Sequence, residues 1–135
     1  MINYISHWEW VLTKSRGSIV NNIQDFEFRS ICPIESIDNL TLYYKESIDW
    51  DINRTKNYQL NSIAKLIEIL KKIEENSFIH IFTLKSGFIY MISKLFVKKD
   101  FKAILSVTGL GYLFSEGFIA KVLRIVLRPL FFLLI

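Results

Sequence analysis

The stretch FIHIFTLKSG, residues 78–87, decides the fold that the sequence predicts. Phe78–Phe82 is a short apolar run without alternation, which is typical of a strand covered on both faces by helices. A helical pattern precedes it at residues 58–75, and a second one follows it. Another apolar run, FKAILSV, then occupies residues 101–107. Strands that alternate with helices in this way form parallel sheets with crossover helices. The sequence therefore predicts an α/β domain with an open, mostly parallel sheet.

The first half of the chain shows weaker patterns. Residues 26–31 alternate like a short strand that Pro33 ends. Residues 34–47 are polar and mixed and predict a loop, whereas SIDWDIN, residues 47–53, alternates like a half-buried strand. Only MINYIS precedes the first helix. That helix is predicted over residues 8–23 because apolar side chains recur at helical spacing, namely Trp8, Val11, Leu12, Ile19 and Ile23.

Composition and charge narrow the classes of partner. The chain has 135 residues, which is enough for one domain with a real core. Hydrophobic residues make up 51% of it, and 17 Lys and Arg against 13 Asp and Glu leave a net charge of +4. The cations are scattered and form no dense basic stripe with interleaved aromatics, which disfavours nucleic acid as a partner. Anionic phosphates or a membrane surface fit this mild positive excess.

The cysteine and histidine content and the patterns near the two ends of the sequence disfavour a disulfide, a metal site, a signal peptide and a membrane-spanning segment. The single Cys32 forms no internal disulfide, and with two histidines the sequence shows no metal motif. A reducing, cytoplasmic compartment is the simple interpretation, and MINYISHWEW lacks the pattern of a signal peptide. The C-terminal run VLRIVLRPLFFLLI carries Arg124 and Arg128. Its uncharged end, Pro129–Ile135, is too short to span a membrane but could lie on one.

Polar residues follow the first buried strand where an open α/β sheet binds ligands, at the carboxyl ends of its strands. Ser86 is suited to cap the next helix. Lys85 is not placed for the helix dipole, which favours anions at an N-terminus. It is better explained if it shares an anion with the helix amides, and the alternative is a solvent-exposed lysine. His80, inside the strand, is predicted to be a hydrogen-bonded core residue and not a base.

The loop after the second buried strand reads VTGLGYLF, residues 107–114. Gly109 and Gly111 fit the first two glycines of the dinucleotide fingerprint, but Phe114 occupies the third position, which undercuts a nucleotide-binding oxidoreductase. The glycines would let backbone amides face a ligand, and the Thr108 hydroxyl with the Tyr112 ring would suit a sugar. The alternative, which the spacing alone favours, is a tight turn whose aromatic residues pack in the core.

These segments together resemble the N-terminal half of family 4 glycosyltransferases, the kind used in bacterial polysaccharide and lipopolysaccharide assembly. The similarity rests on IHIFTLKSGFIY at residues 79–90 and VTGLGYLF at residues 107–114, with INR at residues 52–54 ahead of a long helix. The resemblance implies two Rossmann-like domains with a cleft between them. It further implies that the acceptor side of the cleft is lined by Thr83, Lys85, Thr108, Gly109, Gly111 and Tyr112.

The resemblance also implies an activity and its partners. The family transfers a sugar from a nucleotide-sugar donor to a saccharide acceptor, often lipid-linked, on the inner face of the cell membrane, and we expect no metal or other cofactor. Residues 1–135 would be a single, incomplete acceptor-side domain that is inactive until a C-terminal domain or a second polypeptide supplies the donor site. The sequence departs from the family where its first helix has Ser15-Arg16 in place of a His-Arg pair, and where only MINYIS precedes that helix, so that the family's first strand is short or lost. The alternative is a non-catalytic α/β module that docks on a membrane or a partner through its apolar C-terminal helix.

Overall fold

A computed structural model of the protein describes residues 1–52, 60–107 and 125, and it confirms the α/β class. An open, all-parallel sheet of five strands is flanked by helices, as in Rossmann-like folds. The order across the sheet is β3-β2-β1-β4-β5. The strands are β1 (Ile2–Ile5), β2 (Phe28–Cys32), β3 (Glu46–Asp49), β4 (Phe78–Phe82) and β5 (Lys102–Ser106).

The helices cover both faces of the sheet. The first begins with a π-helical segment, Val11–Arg16, and continues as α1; the others follow β2, precede β4 and join β4 to β5. One core cluster combines residues of the first two helices with one face of the sheet, and a second cluster combines residues of the last two with the other face. The α-helices are α1 (Gly17–Asn22), α2 (Ile37–Thr41), α3 (Leu60–Lys72) and α4 (Leu84–Lys94).

The apolar run of β4 is used on both faces, as the sequence predicts. Ile79 and Ile81 lie in the cluster beneath α3 and α4. Phe82 lies in the cluster on the α1 side, where the ring of Tyr4 contacts the rings of both His80 and Phe82. Alternate residues of a strand point to opposite faces, so a strand buried on both sides needs apolar residues at almost every position.

The N-terminal strand is short, and it occupies the centre of the sheet. Ile5 pairs with Ile31 on one side and with Ile81 on the other. Asn3 is buried beside it: its side-chain amide donates to the Phe78 carbonyl at 3.1 Å and accepts from Arg29 at 3.1 Å. Four residues suffice because both edges of the strand are hydrogen-bonded to longer neighbours.

Three predictions from local pattern are wrong. Residues 34–47 are not a continuous loop, because they contain α2 and the start of β3; α2 is held through the fully buried Leu40. Of the predicted apolar face of the first helix, Trp8, Ile19 and Ile23 are exposed and Val11 and Leu12 are buried, and the π-helical segment Val11–Arg16 interrupts the regular spacing of 3.6 residues per turn on which that face was based. The strand β5 is not buried, because in the described part of the chain it is an outer strand with Ile104 mostly exposed.

Two glycines allow close packing of helices on their neighbours. A Cβ atom on Gly87 of α4 would lie 2.8 Å from a methyl carbon of Leu105 on β5. A Cβ atom on Gly17 would lie 2.8 Å from the ring of Tyr43. Both glycines therefore let a helix approach its neighbour more closely than a side chain would permit.

Candidate functional site at the switch point of the sheet

The order of the strands reverses between β1 and β4, which places a crevice at that point. The chain leaves β1 toward the face of α1 and leaves β4 toward the face of α4. In open α/β sheets, ligands bind in the crevice outside the carboxyl ends of the strands at such a switch point. Ser6 and His7 follow β1 there, and Thr83 follows β4.

A hydrogen bond joins the two sides of this crevice. The Nδ1 atom of His7 lies 2.7 Å from the Oγ1 atom of Thr83, across 76 positions of the sequence. The imidazole ring also stacks against Trp8, with ring centroids 4.5 Å apart. The Thr83 hydroxyl reaches Ser86, whose Oγ atom is 3.4 Å away. Imidazole and hydroxyl groups are thus brought together at the mouth of the sheet, where they can donate to or accept from a bound ligand.

The backbone of Thr83 is strained. Its φ of 78° and ψ of 150° lie in a region that is essentially reserved for glycine. The peptide groups on either side hold it there: the Thr83 amide donates to the Ser106 carbonyl at 3.0 Å, and its carbonyl accepts from the Gly87 amide at 3.1 Å. Strain of this kind costs of order 1–3 kcal/mol and clusters at ligand sites.

The guanidinium group of Arg16 lies at the same edge. Arg16 is the last residue of the π-helical segment, and its Cζ atom lies 4.9 Å from the centroid of the Phe82 ring. Within the described part of the chain, no hydrogen-bond acceptor reaches its buried Nε atom. Single π-helical turns occur often at functional sites, and here the extra residue turns a cation toward the end of β4. This cation is suited to an anionic group.

Lys85 adds a second positive charge at the start of α4. It lies in the first turn of that helix and is partly buried, and this burial lowers the pKa of its ammonium group. The backbone amides at a helix N-terminus favour negative charge. A lysine and the N-terminus of a helix at one edge together favour an anion such as phosphate.

Glu9 fixes the loop that follows β2 against the helix that follows β1. It is almost fully buried, and its carboxylate accepts hydrogen bonds from the backbone amides of Glu35 and Ser36, the latter at 2.8 Å. Three strand ends are therefore held together at this edge. These hydrogen bonds join residues 26 and 27 positions apart, and no local pattern in the sequence predicts them.

His80 is half-buried and hydrogen-bonded within the sheet. Its Nε2 atom is 2.7 Å from the Oγ atom of Ser106 on the neighbouring strand, and its ring lies against Phe82. Burial, and secondarily the positive charge of Arg16, lowers the pKa of this imidazole. The neutral form of the His80 imidazole is therefore favoured.

The structure brings together only part of the predicted site. Thr83 and Lys85 lie at the switch point, whereas the remaining candidates, Thr108, Gly109, Gly111 and Tyr112, lie outside the described residues, as does the C-terminal run apart from Ile125. His7 and Arg16 were not predicted as site residues. The signal that could have found His7 is the strand before it, because a strand over residues 2–5 would place His7 at its carboxyl end.

No protein-family model matches the chain, and no curated protein matches it. Across residues 1–52 and 60–107, no three His, Cys, Asp or Glu side chains are grouped so that they could hold a metal ion. No helix in the described ranges is long and apolar enough to cross a membrane.

A glycine at position 83 should stabilise the protein relative to an alanine there. Thr83→Gly and Thr83→Ala both remove the hydroxyl group, so the difference between them reports the backbone alone. We expect Thr83→Gly to be more stable by about 1–2 kcal/mol in urea unfolding, because glycine adopts this conformation without strain. At an ordinary position glycine is the less stable of the two by roughly 0.5–1 kcal/mol. Equal free energies of unfolding for the alanine and glycine variants would show that the backbone at position 83 is not strained.

Proposed function

We propose that this chain is the acceptor-side domain of a glycosyltransferase that resembles family 4. The complete enzyme would transfer a sugar from a nucleotide-sugar donor to a saccharide acceptor linked to a lipid. The observation that carries the proposal is the hydrogen bond between His7 and the strained Thr83 at the switch point, with Arg16 over the ring of the preceding Phe82. The resemblance of residues 79–90 to the family supports the same proposal.

The chemistry of this edge suits a saccharide that carries a phosphate group. The imidazole of His7 and the hydroxyl of Thr83 can exchange hydrogen bonds with sugar hydroxyls. The positive charges of Arg16 and Lys85 can pair with phosphate oxygens, and a guanidinium group can do so through two parallel hydrogen bonds. The exposed ring of Trp8 offers an apolar surface beside the crevice. These are the groups that an acceptor site needs for orientation and affinity.

Transfer would need a second unit that binds the donor. Sugar transfer depends on holding donor and acceptor in a reactive geometry, and correct positioning can account for several kcal/mol of the barrier, up to about 7–11 kcal/mol. We therefore propose that a C-terminal domain or a second polypeptide completes the cleft. The nucleotide sugar is then a substrate of the complete enzyme, and this chain contributes the acceptor side.

The first test of this proposal is ligand binding to the chain itself. We expect a hexose 1-phosphate and a prenyl phosphate-linked saccharide to shift the amide NMR signals of His7, Thr83 and Lys85. Arg16→Gln removes the charge and should weaken binding about 10- to 100-fold, the equivalent of losing one charge-assisted hydrogen bond to phosphate. Lys14→Gln, an exposed lysine in the same π-helical segment, is the matched control and should bind like the parent.

The second test is sugar transfer in the reassembled enzyme. The chain is combined with the polypeptide encoded next to it, and radiolabelled nucleotide sugars are supplied with the lipid-linked acceptor. Arg16→Gln should lower transfer by the same factor by which it weakens acceptor binding, while Lys14→Gln leaves transfer unchanged. Binding of neither probe at the switch point, or equal binding by both variants, would refute the proposed acceptor site.

A further inference from the structure

A cavity lies between the last turn of α3 and the amino-terminal part of β2 and β3. The switch point, by contrast, lies at the carboxyl ends of the strands. The volume of the cavity is about 290 Å³, close to the lower limit of roughly 300–1,000 Å³ for small-molecule sites. We call it the β2–β3 cavity, and it is lined by Arg29, Glu46, Ile48, Ile69, Lys72 and Ile73.

Three isoleucines form the apolar part of the cavity wall. Ile69 and Ile73 are buried members of the core cluster beneath α3, and the partly buried Ile48 packs against the same cluster. Side chains that are packed in a core hold fixed positions, so this part of the wall is formed before any ligand binds. It offers contact to a hydrocarbon group that would otherwise be exposed to water.

The guanidinium group of Arg29 is held in place at the polar side of the cavity. Its Nε atom donates to Oε2 of Glu46 at 2.7 Å, and its Nη2 atom lies 2.6 Å from the same oxygen. Its Nη1 atom donates to Oδ1 of the buried Asn3 at 3.1 Å. A guanidinium group carries five N–H donors, two of them on each Nη atom. These contacts therefore leave a second N–H on each Nη atom for a ligand.

The charges around the cavity do not cancel. The Glu46 carboxylate offsets the positive charge of Arg29, with which it forms an ion pair. Lys72 is exposed at the end of α3, and within the described part of the chain it forms no ion pair or hydrogen bond. The lining as a whole carries one uncompensated positive charge, which matches a ligand with a single negative charge.

We propose that the β2–β3 cavity binds a small amphipathic carboxylate. The hydrocarbon part of the ligand would contact the three isoleucines, and the carboxylate would accept hydrogen bonds from Lys72 and from the remaining Nη donors of Arg29. One uncompensated charge favours a carboxylate over the dianion of a phosphate monoester. The inference goes beyond the proposed sugar transfer and does not depend on it, because the two sites share no residue.

An NMR titration of the full chain with hexanoate tests this proposal. We expect saturable shifts of the methyl signals of Ile48, Ile69 and Ile73. Acetate lacks the hydrocarbon chain and should bind at least about tenfold more weakly. Hexanol lacks the negative charge and hexylammonium reverses it, so both should also bind more weakly than hexanoate. Tighter binding of hexylammonium would show that Glu46 dominates the site and would overturn the proposal.

Two pairs of variants locate the binding site. Lys72→Gln should weaken hexanoate binding about fivefold, whereas Lys71→Gln, a change at the neighbouring lysine that does not line the cavity, should bind like the parent. Ile48→Phe places a larger side chain in the cavity wall and should weaken binding roughly tenfold or more. Ile37→Phe makes the same change at an exposed position of α2 and is its control.

The exposed lysine pair keeps the test decisive if Ile48→Phe disturbs the fold. Equal hexanoate binding by Lys72→Gln and Lys71→Gln would overturn the proposal. So would hexanoate shifts that do not saturate, or shifts that are spread over the whole chain and not centred on the three isoleucines.

Discussion

Replacing Trp50 with alanine should lower the free energy of unfolding by about 3–5 kcal/mol, the usual cost of removing a buried tryptophan. Trp50 is fully buried directly after β3. Its indole Nε1 donates to the Ser62 carbonyl at 2.8 Å, and its backbone amide donates to the Cys32 carbonyl at 3.0 Å. The substitution would leave a cavity beneath α3 and an unpaired carbonyl. Urea unfolding followed by circular dichroism measures the change.

The control for this experiment is another tryptophan of the same chain. Trp10 is 62% exposed, so Trp10→Ala should change the free energy of unfolding by no more than about 0.5 kcal/mol. A similar loss in both variants would mean that Trp50 does not anchor α3 to the sheet. The matched pair uses the same chemical change, and only the burial differs.

The protein should lose stability steeply as the pH rises from 9 to 12, and Cys32 should account for much of the slope. Burial, with smaller effects from the charges of Glu9 and Asp49, raises the pKa of the Cys32 thiol from 9.0 to about 12. In this range the unfolded chain has lost the thiol proton and the folded chain still holds it. The folded state therefore binds more protons, and the free energy of unfolding falls with pH by ~4 kcal/mol over the whole range.

Cys32→Ala tests the origin of that slope. The variant has no thiol to ionise, so its free energy of unfolding should fall less steeply between pH 9 and 12, whatever the substitution costs at neutral pH. A residual slope is expected from the buried phenols: burial raises the pKa of Tyr90 to about 12 and that of Tyr44 still further. Parallel curves for the parent and the variant would show that Cys32 does not carry the alkaline transition.

Much of the fold could be predicted from the sequence because its signals are local. The apolar run at Phe78–Phe82 matches β4 residue for residue. The alternation in SIDWDIN predicts one buried and one exposed side, and the structure buries Trp50 and Ile52 and exposes Asp49 and Asp51. Pro33 ends β2 at Cys32, since proline has no amide to donate to a strand ladder. Each of these features depends on neighbours a few residues away.

Less of the candidate site could be predicted. Thr83 and Lys85 were found because they follow an unmistakable strand, whereas His7 follows a strand of four residues that the pattern left undecided. In the π-helical segment Arg16 lies over the Phe82 ring, and Ile19 beyond it is exposed. Helical spacing assumes a regular α-helix, so it could not predict either position.

By itself, then, the sequence determined the α/β class and the strands and helices with strong periodicity, because hydrophobic spacing acts within one element. Only the tertiary structure decided that β1 lies at the centre of the sheet, that His7 meets Thr83 across 76 positions, and that Phe88 of α4 is exposed. Pairing, strain and exposure depend on which elements become neighbours, and that choice is made by the packing of the whole domain.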